Sequence, residues 1–427
     1  MMCSEPQVHM QEQRLRVPVP RIAFYSHDTM GMGHLRRNML IASHLAAGKC
    51  NAETLLIAGT REAGFFAEQA GVDCVTLPAL SKSAGGQYSA KHYSWSPDEI
   101  AHLRSRIIAS TLLAFRPDIF VVDKLPQGIC NELQRTLQLI RNRLNTKCVL
   151  GLREILDEPQ VVRREWSEAN HLAIIEKHFD RVWVYGDQRV YDCVREYGFS
   201  DAIRRKILFT GYLDQRARNT SVADERVDQE LSNGRPLALC TVGGGQDGFE
   251  TSQAFITGGV PRGWLGIVIT GPFMPAEHRQ RLKQLASTNI NIRVVDQLIE
   301  SDLYIAKANR IVAMAGYNTI ASILSFEKPA LIVPRVIPRR EQLIRAEMLA
   351  SLGQVSVLHP DHLSPERVRQ WLDQPNVPRP NTSTLSLSGL DAISEDISQI
   401  QQNHDRHASP VGSRHRASIG SRRSIAT

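Results

Sequence analysis

The chain has 427 residues, 42% hydrophobic and 22% charged, with a formal net charge of +7. That length exceeds one ordinary domain, and the composition is that of a globular protein with apolar material for two cores. No run of about 18 apolar residues occurs, which excludes a membrane-spanning helix. Seven widely spaced cysteines with no CxxC pair argue against a disulfide framework or a cysteine zinc site.

In chain order, residues 1–20 lack an apolar signal core and are expected to be a disordered leader. From residue 21 the strand-like runs "IAFYS", "ETLLIAG", "DCVTLP", "DIFVVD" and "KCVLGL" alternate with amphipathic stretches at 61–70, 98–115 and 128–143. Short apolar runs separated by helices predict a parallel sheet covered on both faces. "REILDEPQVVRREW" and a helical stretch at 167–178 lead to a second half with the same grammar. Its runs are "RVWVYG", "ILFTG", "LALCTVG", "GIVIT", "IRVV", "RIVAMAG" and "PALIVP". The polar segment "LDQRARNTSVAD" breaks both periods and marks the boundary.

The expected fold class is α/β, with two doubly wound, Rossmann-like domains facing across a cleft. The N-terminal domain is placed at 21–210, the C-terminal one at 211–380, and a C-terminal segment at 381–427. The last 24 residues carry five Arg and one Asp, hence +4 of the +7 net charge, and read as a disordered basic tail. A solubilising role is preferred over a peripheral contact with a membrane surface or polyanion. No zinc finger, basic helix or aromatic-basic interleaving supports nucleic-acid binding.

Four loops carry the chemistry. "DTMGMGHLRRN" (28–38) puts Gly31, Gly33 and His34 on a sharp strand-to-helix turn. In "TVGGGQDG", Gly243, Gly245 and Gly248 fit GxGxxG between a strand and a helix, which suits a diphosphate at a helix N-terminus. The next strand ends without the acid a nicotinamide site wants, so the loop points to a phosphate or diphosphate rather than to NAD. A structural tight turn is the plain alternative. "AMAGYNTI" offers another helix start, with Asn318 and Thr319 read as caps. "PRREQLIRAEMLASLG" places Glu341 and Gln342 at the start of a helix, where capping would also explain them. No Walker loop is present.

"GMGH", "TVGGGQDG", "AGYNTI" and "PALIVPR…EQLIRAEMLASLG" together resemble the GT-B glycosyltransferases, particularly the MurG-like, lipid II N-acetylglucosaminyltransferase-like family and predicted glycosyltransferases allied to it. The resemblance covers roughly residues 21 to 375. It implies transfer of a hexosyl or N-acetylhexosaminyl group, with inversion, from a nucleoside-diphosphate sugar, UDP-linked, to an acceptor hydroxyl. The donor is a substrate, and no cofactor is implied. The acceptor would be lipid-linked, a polysaccharide or a small molecule, and the setting cytoplasmic, peripheral at the inner membrane face if the tail makes that contact. Carried over, Gly243, Gly244, Gly245 and Gln246 meet the donor diphosphate. Gly316, Asn318 and Thr319 form the second donor loop, Gln342 meets the donor sugar with Glu341 beside it among the donor-binding residues, and a backbone group of Leu298 meets the base. Two positions depart from the family: Ser322 stands where a ribose-binding glutamate is usual, and Gln215 where an arginine is usual.

Transfer needs a base for the acceptor hydroxyl and groups that hold the leaving diphosphate. No DxD triplet occurs, so no metal site is expected. His34 is the candidate base, its imidazole titrating near working pH. Asp123, closing "DIFVVD", is the candidate for orienting it, with capping of the next helix as the other reading. His27 and Asp28 are alternatives at the same strand end, and Gly31 and Gly33 let a substrate lie against backbone. Two other functions remain: a non-catalytic nucleotide-sugar-binding subunit, which the Ser322 departure favours, and a nucleotide-sugar 2-epimerase.

Overall fold

The computed structural model describes residues 19–27, 32–48, 50–82, 88–218, 231, 234–296 and 301–408. Gly31, Asp28 and Leu298, the leader up to residue 18 and the tail from 409 therefore lie outside the described residues.

The N-terminal sheet is built from β1 (Arg21–Tyr25), β2 (Glu53–Ala58), β3 (Asp73–Thr76), β6 (Ile119–Asp123), β7 (Lys147–Arg153), β8 (Arg181–Tyr185) and β9 (Ile207–Gly211). Its order is β3-β2-β1-β6-β7-β8-β9, all pairs parallel. A small antiparallel hairpin of β4 (Leu80–Lys82) and β5 (Tyr88–Ala90) is inserted before the crossing to β6. That crossing is the helix Pro97–Phe115, whose start is fixed by Pro97 and a reciprocal Ser96–Glu99 capping box. β6 is buried at all five positions, as expected of a central strand covered by helices on both faces.

The C-terminal sheet repeats the plan with β10 (Leu237–Thr241), β11 (Leu265–Ile269), β12 (Ile292–Val295), β13 (Arg310–Ala313), β14 (Ala330–Ile332) and β15 (Ser356–Val357). Its order is β12-β11-β10-β13-β14-β15, again parallel throughout. The strand order reverses between β1 and β6 in one sheet and between β10 and β13 in the other. Those two switch points are where doubly wound sheets open a crevice for ligands.

The chain crosses between the domains twice. After β9 it enters the C-terminal sheet, and after residue 373 it returns. Ser386 N–H donates to the Asp187 carboxylate at 2.8 Å, and Tyr212 N–H donates to Ser386 O, also at 2.8 Å. The helix Gly389–Ala408 then packs on the N-terminal domain. Its Leu390, Ile393, Ile397 and Ile400 join a core cluster with Leu45, Trp183 and Tyr185. Asp396 receives the Trp183 indole N–H at 2.8 Å and the Arg181 guanidinium at 3.2 Å. The tail reading from residue 404 is corrected here: residues 404–408 continue this helix, because a packed apolar stripe upstream carries the helical backbone on past it.

The domains meet through a buried ion pair. Arg345, on the helix Glu341–Ser351, places Nε 2.6 Å and Nη2 3.3 Å from the two carboxylate oxygens of Glu154, and neither side chain is exposed. The same guanidinium donates to Ala315 O and Ile155 O, and Tyr212 Oη donates to Glu154. Nearby, Arg339 bridges Asp157 and Glu165, and Arg340 bonds Glu158. No helix of the described residues is long and apolar enough to cross a membrane.

Candidate active site

A cavity of about 280 Å³ lies between the sheets, lined by segments that follow β1, β10, β11, β12 and β13 and by Arg153 at the end of β7. Its walls are thus the carboxyl ends of strands from both domains. On the N-terminal wall, the helix Gly33–Ala47 begins at Met32 with no side-chain cap. On the C-terminal wall, the helix Tyr317–Ser325 begins at Gly316, also with no side-chain cap. Helix starts left this way present free N–H groups and a positive dipole end to the cavity.

His34 lines the cavity and is 16% exposed, whereas Asp123 is fully buried behind it. His34 Nδ1 lies 2.5 Å from Asp123 Oδ2. It also lies 3.0 Å from Arg37 Nη2, a donor. The carboxylate approach assigns the proton to Nδ1, which leaves Arg37 bonded to the other Asp123 oxygen and His34 Nε2 as the nitrogen that accepts protons. Burial is the main force on His34 and lowers its pKa to about 4; Asp123 opposes that, while Arg37 adds to it. Burial resists ionisation of Asp123 as well, but Arg37 and His34 outweigh it and hold the carboxyl well below its usual range. Arg37 is itself fixed between the rings of Tyr185 and Tyr317, 5.2 and 5.5 Å from their centroids.

The glycines expected to meet the donor divide into two kinds. Gly243 and Gly244 line the cavity. Gly245 does not: at φ +88°, a Cβ there would stand 2.1 Å from Thr270 O, so this glycine holds the loop against the end of β11. Gln246 is exposed and away from the cavity lining. Gly316, Asn318 and Thr319 line it, with one correction: Asn318 and Thr319 are not caps, because Gly316 occupies the N-cap. Instead Asn318 Nδ2 donates across the cleft to Gly33 O at 3.0 Å.

Glu341 and Gln342 start their helix as read from the sequence, but neither lines the cavity. Arg335 engages both, its guanidinium bonding Glu341 Oε1 at 2.6 Å and its N–H donating to Gln342 Oε1 at 3.2 Å. The other Arg335 nitrogen reaches Asp247 in the glycine loop at 3.1 Å. Ser322 lines the cavity and donates to Asp302 Oδ1 at 2.6 Å. Gln215 is buried and spends its amide on Leu213 O and on Arg218, away from the cavity.

Sequence reasoning missed Arg36, Arg37, Arg153, Asp302 and Phe273, all of which line the cavity or brace its walls. A signal existed for three of them. "HLRRN" sets two cations in the first turn of a helix, against the dipole preference, and "KCVLGLR" ends a buried strand on a charge.

Comparison with known proteins accords with this geometry. Residues 240–388 match the glycosyltransferase family 28 C-terminal domain. The family 28 match spans all the C-terminal walls of the cavity, from the glycine loop through the Tyr317 and Glu341 helices. No curated protein matches the chain. Among solved structures, the glycotransferase of kitacinnamycin is 16% identical, with a TM-score of 0.56 over 91% of this chain and 96% of its own. MurG of Acinetobacter baumannii is 12% identical, with a TM-score of 0.51 over 90% and 100%. UDP-GlcNAc 2-epimerase from Neisseria meningitidis, bound to UDP-GlcNAc, is 13% identical, with a TM-score of 0.58 over 90% and 99%. The architecture around the matched segment is GT-B.

Proposed function

We propose that the chain transfers a sugar from a nucleoside-diphosphate sugar, UDP-linked, to an acceptor hydroxyl, with inversion at the anomeric carbon. The observation that carries this reading is the His34–Asp123 pair, which faces Gly243, Gly244 and the uncapped Tyr317 helix across one cavity. In the reaction, the acceptor oxygen forms a bond to the anomeric carbon while the bond from that carbon to the diphosphate breaks. The diphosphate leaves with the electron pair, and His34 Nε2 takes the acceptor proton. Asp123 steadies the imidazolium that results. Backbone N–H groups of the glycine loop and the start of the Tyr317 helix meet the charge growing on the leaving group. A hexosyl or N-acetylhexosaminyl donor and a lipid-linked, polysaccharide or small-molecule acceptor belong to the same reading.

UDP should bind in the presence of EDTA, measured by calorimetry, and donor turnover should need an acceptor. Binding seen only with Mg²⁺ or Mn²⁺ would contradict the metal-free reading. Epimerised donor formed without acceptor would replace transferase by 2-epimerase, and binding without turnover by a nucleotide-sugar-binding subunit.

A further inference from the structure

Three guanidinium groups line the cavity, from Arg36, Arg37 and Arg153. Arg37 is matched by Asp123, and Arg36 lies 3.4 Å from Asp302. Arg153 is matched by nothing: among the described residues no carboxylate is within ion-pair distance and no hydrogen bond satisfies it. Its neighbour Glu154 is committed to Arg345, and the Glu341 carboxylate across the cleft is engaged by Arg335. Arg153 is partly buried, and burial pushes its pKa down; Glu341 pulls the other way without forming a pair. A cation kept short of water and of partners costs stability unless a ligand anion completes it.

The position of Arg153 says which anion. The donor diphosphate is met by loops of the C-terminal domain, whereas Arg153 stands on the N-terminal wall with His34. β6 and β7 pair with Asp123 opposite Gly151, so Arg153 lies two residues further along the neighbouring strand. Strand geometry then puts its Cα about 8 Å from that of Asp123, so both side chains reach the same part of the cavity.

We infer that Arg153 binds an anionic group, phosphate or carboxylate, on the acceptor, whose reacting hydroxyl lies at His34 in the same cavity. The acceptor is therefore an acidic molecule such as a sugar phosphate or an acidic sugar. This rests on the transferase reading above.

The test titrates inorganic phosphate, and acetate as its carboxylate counterpart, by calorimetry with and without saturating UDP. One of the two anions should bind the UDP-loaded protein. Arg153→Gln should weaken that binding by about tenfold or more, the usual scale for a charge-assisted bond, and Arg153→Lys by much less. UDP affinity should be the same in all three proteins. Unchanged anion binding in a folded Arg153→Gln protein would overturn the inference. So would mutual exclusion of phosphate and UDP with UDP weakened in Arg153→Gln, since Arg153 would then serve the donor diphosphate. If Arg153→Gln does not fold, the parent protein is labelled with phenylglyoxal and read by peptide mass. Phosphate or acetate should then protect Arg153, and its modification at an unchanged rate would overturn the inference. Failure of the parent to bind UDP would sink the transferase reading alone, because the titration without UDP still reads Arg153.

Discussion

At the residue scale, the site turns on one imidazole whose surroundings keep it neutral. His34 has a pKa lowered to about 4, first by burial and then by Arg37, against the pull of Asp123. The acid limb of kcat/KM should accordingly fall near pH 4 rather than near 6.5, the usual value for histidine. The same shift fixes the sign of a stability effect. The unfolded chain takes up a proton at about pH 6.5 while folded His34 does not, so this contribution is whole above that pH. It is lost as the pH falls from there through about 4. His34→Ala should cut transfer about a hundred- to ten-thousand-fold with UDP affinity nearly unchanged, because the loops proposed to hold the donor belong to the other domain. Kinetics with calorimetry on one preparation checks both. An Ala variant that instead loses its thermal transition would make His34 a packing residue and return attention to His27, Asp28 or Asp123.

At the element scale, the C-terminal wall of the cavity is an interlock of two loops. Gly245 presses on Thr270 O, and Gly271, at φ +78°, would put a Cβ 2.2 Å from Gly243 O. Gly245→Ala should therefore lower the thermal midpoint and weaken UDP together, since the backbone at 243–245 must move to admit a methyl group. Full UDP affinity in that variant, by calorimetry, would show that the loop does not shape the donor site. Strand ends and glycine loops are legible in the sequence because period and local turn chemistry encode them. His34 and Asp123 can be paired because each closes or follows a central strand of one sheet. Asn318 reads as a cap and is not one, because capping depends on the backbone angles of Gly316 and on Gly33, 285 positions away. The lack of a partner for Arg153 and the Arg36–Asp302 contact stay hidden for a like reason. Both depend on how two domains sit together, which no local pattern records.

At the scale of the whole molecule, the cleft is held by polar contacts across it. The Glu154–Arg345 pair is fully buried, so removing one partner leaves the other charge stranded. Arg345→Met should destabilise the protein by about 3–5 kcal/mol, and Glu154→Leu added to it should recover part of that loss. Chemical denaturation of the two variants and the parent measures the coupling. A single variant as stable as the parent would mean that water or rearrangement already serves Glu154.

The returning helix Gly389–Ala408 has a consequence for how the chain is made. Leu390, Ile393 and Ile397 fill the same core as Trp183 and Tyr185, which leave the ribosome some two hundred residues earlier. The C-terminal sheet is topologically an insertion within the N-terminal domain. During vectorial synthesis the domain that is begun first is finished last, and it waits with an open flank while the C-terminal domain, continuous in the chain, emerges and closes on its own.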